Sequence, residues 1–83
     1  MPEEAAEKLE TILRQNKKLT KLHDIGRTGT RLVVTRRDLE PVAAKHFRII
    51  SAAVRKAKGK RELTSTLEPK GNYIAVAFSK PKS

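Results

Sequence analysis

The sequence predicts a small, single α+β domain, and three observations carry that prediction. Two segments space their apolar residues at helical intervals; others run in β-branched or alternating residues between Gly and Pro turns. The chain has 83 residues, enough for one thin core and too few for a large catalytic architecture. The predicted order is helix, strand or short hairpin, helix, β-hairpin, forming one domain over residues 1–83 with flexible ends at 1–2 and 80–83.

Pro2, Glu3 and Glu4 suit a helix start, because proline fits the first turn and acids favour the positive end of the helix dipole. Ala5, Ala6, Leu9, Ile12 and Leu13 then recur at helical spacing, with Glu4/Lys8 and Glu10/Arg14 as i,i+4 pairs. The helix is predicted over Glu3–Gln15. Asn16 interrupts it, and a bent continuation runs through Lys17, Lys18, Leu19 and Lys21.

Gly26 and Gly29 bracket a turn, after which Thr30–Thr35 reads as a strand, with Leu22–Ile25 pairing to it as a short hairpin. Asp38 is an expected N-cap for a second helix from Leu39, with Pro41 in its first turn. At 100° per residue, Leu39, Val42, Ala43, His46, Phe47, Ile49, Ile50, Ala53, Val54 and Ala57 share one arc, and Gly59 ends the helix. Leu63–Leu67 and Tyr73–Ser79 form a hairpin around Glu68-Pro69-Lys70-Gly71-Asn72. Ile74, Val76 and Phe78 share its inner face.

Charge sets the functional classes. There are 19 Lys and Arg against 9 Asp and Glu, a net +10 with a pI near 10.4. In residues 1–10, four acids oppose Lys8 for a net −3, which leaves +13 on residues 11–83. The absence of Cys excludes disulfides, thiolate metal sites and thiol nucleophiles. No cofactor is implied, and no His spacing suits a metal. No apolar run approaches the ~20 residues of a membrane span. The acidic start is unlike a signal peptide, so a cytoplasmic protein is expected, nuclear in a eukaryote.

Lys45, Arg48, Arg55 and Lys56 fall opposite the apolar arc of the second helix, and Lys58, Lys60 and Arg61 continue them. From Pro41 to Arg61 there is no acid. A face that serves solubility alone mixes both signs; unrelieved positive charge repels itself and suits a polyanion. Arg27, Arg31, Arg36 and Arg37 around the glycine turn form a second candidate phosphate patch.

The expectation is a non-enzymatic nucleic-acid-binding protein, with DNA placed ahead of RNA. A basic helix followed at once by a hairpin resembles the layout of a winged-helix reader, whose middle helix would have to come from Lys17–His23. Gly26-Arg27-Thr28-Gly29 matches the GXXG of KH-type RNA clamps, but a strand follows where that module needs a helix. The alternative class is a small regulator whose basic face docks an acidic protein; the acidic first helix would also suit a homodimer. A ribonuclease using His23 and His46 is a remote alternative, since the helical spacing buries His46. A membrane surface is not expected, because Ala and β-branched residues suit the apolar arc to packing.

Overall fold

A computed structural model describes residues 1–81 of the chain. Its elements are α1 (Pro2–Arg14), α2 (Lys17–Thr20), β1 (His23–Thr28), β2 (Arg31–Arg36), α3 (Ala44–Lys58), β3 (Thr64–Pro69) and β4 (Tyr73–Ser79). The α+β class and the order of helices and hairpins are those the sequence predicts. The strands form one antiparallel sheet in the order β1-β2-β4-β3.

The first hairpin is tighter than expected. Thr28 pairs with Arg31, so the loop is Gly29-Thr30 alone, and Gly26 and Arg27 lie within β1. Gly29 has φ 61° and Thr30 does not share that sign, as a two-residue II′ hairpin turn requires. The GXXG match is therefore a piece of strand plus one turn residue, and no clamp loop forms. Gly71, at φ 71°, turns β3 into β4, and the Lys70 amide donates to the Tyr73 carbonyl at 2.8 Å. Pro69 closes β3, which is an edge strand, where a missing N–H is tolerated.

α1 and α3 pack together on one face of the sheet. The core beneath them joins Ala5, Ala6, Leu9 and Leu13 of α1, Ile50, Ala53, Val54 and Ala57 of α3, and Ile25, Leu32, Val34, Ile74, Val76 and Phe78 of the sheet. The register puts Val33, Ala75 and Ala77 on the opposite, helix-free face. Asn16 ends the continuity of the first helix, because its side chain accepts from the amides of Lys18 and Leu19 and starts α2 as a separate turn.

The second long helix begins at Ala44, five residues later than predicted. The Asp38 carboxylate is held by Arg36 at 2.9 and 2.6 Å and by the Glu40 amide at 3.1 Å, so it caps no helix. Leu39 has φ 64°, Glu40 is barred from helical geometry by Pro41, and the Val42 amide donates to Gly71 at 2.9 Å. With Leu39 in a left-handed turn, these contacts keep residues 40–43 out of the helix and against the second hairpin. The winged-helix layout is not completed either: α2 is one turn placed before β1, and a single helix separates β2 from β3.

Candidate nucleic-acid interface

α3 divides cleanly. His46, Ile50, Ala53, Val54 and Ala57 are buried, whereas Lys45, Arg48, Ala52, Arg55 and Lys56 are exposed. At 100° per residue these five lie within an arc of about 100°, and at 1.5 Å per residue they span about 16 Å along the axis. Ala52, in the middle of the strip, lets a partner come close to the helix backbone. Lys58, half-buried in the last turn of α3, and Lys60, beyond the Gly59 turn at φ 57°, continue the basic run.

The cations of this strip lack carboxylate partners, unlike most arginines outside α3. Among the described residues, no ion pair involves Lys45, Arg48, Arg55, Lys56, Lys58 or Lys60. Most of the arginines elsewhere are engaged. Arg27 binds Glu10 at 2.8 Å, and Arg14 binds the other oxygen of the same carboxylate at 3.0 Å, clamping α1 to β1. With two guanidiniums beside it, the Glu10 carboxyl sits below the usual carboxylate range, Arg27 being the stronger cause.

Arg37 pairs with Asp24 at 2.8 Å and donates to the carbonyls of Lys21 and Thr20. Arg36 holds Asp38, and this hydrogen bond, with the Glu40 amide second, brings the Asp38 pKa down to about 2. Arg61 donates to the Ala57 carbonyl at 2.9 Å, closing the end of α3, and approaches Glu4 at 3.8 Å. The structure thus does not gather Arg27, Arg31, Arg36 and Arg37 into one patch: Arg27 and Arg37 tie separate elements together, Arg36 is held by Asp38 two residues away, and Arg31 stands exposed on the helix-free face.

Two basic residues absent from the predicted site join it. Lys18 and Lys21, with Lys45 and Arg48, rim a groove of about 650 Å³ between α2 and α3, lined on its apolar side by Leu22, Ile49 and His46. In the sequence, Lys17, Lys18 and Lys21 read only as basic residues at a helix end. The approach of Lys18 and Lys21 to α3 follows the Asn16 cap, which redirects the chain, and so is not a local property.

His23 and His46 lie under this groove, 1% and 4% exposed, with ring centroids 5.0 Å apart at an edge-to-face angle of 85°. His23 opens β1, and its Nδ1 meets the Leu19 carbonyl at 2.9 Å. His23 Nε2 and His46 Nδ1 are buried without a hydrogen-bond partner. Neither imidazole is open to a phosphodiester, and among the described residues no cluster suits a metal ion.

Burial first, then the facing charges of His23, Lys45 and Arg36, hold the His46 pKa below its ordinary value. The unfolded chain takes up this proton near pH 6.5, whereas the folded chain resists it. The contribution is therefore intact above pH ~6.5 and lost as pH falls toward the folded pKa. Denaturant midpoints are expected to fall between pH 7 and 5, before the depressed Glu10 and Asp38 carboxyls begin to matter. His46→Leu is expected to flatten that slope.

No family model, curated protein or solved structure matches the chain, so the site is read from its own residues. Among the described residues, no helix is long and apolar enough to cross a membrane.

Proposed function

We propose that this is a non-enzymatic nucleic-acid-binding domain that grips phosphates through the exposed face of α3. The observation that carries the reading is a strip of cations on one helix face with no acid among them: Lys45, Arg48, Arg55 and Lys56 meet no carboxylate, whereas five of the six arginines outside α3 are held by Glu10, Asp24, Asp38 or Glu4. Lys45, Arg48, Arg55 and Lys56 would contact phosphates, with Lys58 and Lys60 extending the footprint. A major groove about 12 Å wide admits a helix, and Ala52 leaves room for close approach. Duplex DNA is the preferred form, because Phe78 is buried and Phe47 and Tyr73 are half-buried, so the three aromatic rings offer no exposed platform on which single-stranded bases would stack.

Engagement of about five phosphates gives a plot of log K against log salt with a slope near −4 to −5. The test is a salt titration on duplex DNA, single strands and structured RNA, with that slope expected on the duplex. Affinity that stays flat between low and moderate salt on all three would overturn the reading.

A further inference from the structure

The groove between α2 and α3 holds chemistry that phosphate binding does not use. Its cationic rim, Lys18, Lys21, Lys45 and Arg48, forms no ion pair among the described residues, and no acid lines the groove. Its apolar side is aliphatic. Leu22 is 37% exposed, and backbone hydrogen bonds fix its position: its amide donates to Leu19 and its carbonyl accepts from Arg37, both at 3.1 Å. Ile49 is half-buried beside it.

A bare phosphate would use the rim and leave Leu22 and Ile49 wet. A nucleobase needs an exposed aromatic face and polar groups for its edge. The lining offers a buried imidazole and no Asn, Gln, Ser or Thr. Aliphatic side chains flanked by carboxylates satisfy both halves of the groove at once. Its volume, about 650 Å³, is in the range of ligand sites, roughly 300–1,000 Å³.

We propose that this groove docks an acidic amphipathic segment of a protein partner, seating its apolar anchors on Leu22 and Ile49 and its carboxylates against Lys18, Lys21, Lys45 and Arg48. This is the helix-in-groove mode of recognition, with charge complementarity setting orientation. Because Lys45 and Arg48 belong to both surfaces, the segment and a nucleic acid compete for them.

The test uses three synthetic peptides of about 16 residues at about 0.15 M salt. One carries Leu and Phe at i, i+3, i+4 and i+7 among Glu; the second has the same composition with the stripe dispersed; the third is polyglutamate. The striped peptide is expected to bind about tenfold tighter than either control, a difference of about 1.4 kcal/mol. Leu22→Gln should remove that advantage while leaving polyglutamate binding unchanged, and Lys18→Ala/Lys21→Ala should weaken all three. Leu22→Ala serves if the glutamine variant fails a circular-dichroism check of folding.

Equal binding of the three peptides, binding of none, or a striped-peptide affinity untouched by Leu22→Gln would overturn the proposal. So would Leu22→Gln weakening a single-stranded oligonucleotide instead, which would place a base in the groove. Failure of nucleic-acid binding itself would leave the peptide result standing, so the two readings fail separately.

Discussion

Replacing Arg48 and Arg55 together by alanine is expected to lower affinity for duplex DNA about 10- to 100-fold at about 0.1 M salt. The salt slope should become shallower by about 2. Each phosphate contact releases close to one counterion, worth about 1.2 kcal/mol at that salt, and two such contacts are removed. Both side chains are exposed and neither makes an ion pair among the described residues. The substitution should therefore leave the unfolding midpoint nearly unchanged. The loss should be similar across sequences, because phosphate contacts position the protein without reading bases.

The largest expected effect on stability comes from Phe78→Ala. Phe78 is 2% exposed and projects from β4 into the layer beneath α1 and α3. Truncating a buried phenylalanine costs about 3–5 kcal/mol, from lost transfer energy and the cavity left behind. A chain this length has a total stability of about 4–12 kcal/mol. The variant should thus lose tens of degrees in Tm, and a parent at the low end of that range would be largely unfolded near 37 °C. Phe78→Leu, which keeps most of the volume, should stay folded. Equal midpoints for Phe78→Ala and the parent in a urea titration would contradict this account of the core.

The two halves of the fold were not equally legible. The buried stripe of α3 and the inner face of β4 follow from spacings of 3.6 and 2 residues, which are local, so Ile50, Ala53, Val54, Ile74, Val76 and Phe78 are where the sequence puts them. The start of α3 was not legible. Asp38 has the chemistry of a helix cap, but Arg36, only two residues away, takes its carboxylate, and Gly71 from a later hairpin holds Val42 extended.

The candidate site shows the same division. The basic strip of α3 sits on one helix and its geometry is helical arithmetic. The roles of Arg27 and Arg37 depend on Glu10 and Asp24, 17 and 13 residues away, which no local pattern reveals. The groove needs α2 and α3 brought together across the first hairpin, and the exposed Leu22 gave no signal of it in the sequence.

The central claim is that the placement of charge on α3, rather than the total of +10, makes the binding surface. The most direct measurement compares duplex-DNA affinity at one salt concentration for Arg48→Ala/Arg55→Ala and Lys8→Ala/Arg31→Ala. Both double variants lose two charges, and Lys8 and Arg31 are exposed on α1 and on the helix-free sheet face. The α3 variant is expected to lose about 10- to 100-fold and the other less than about threefold. Equal losses in the two would show that only net charge matters and would contradict the account.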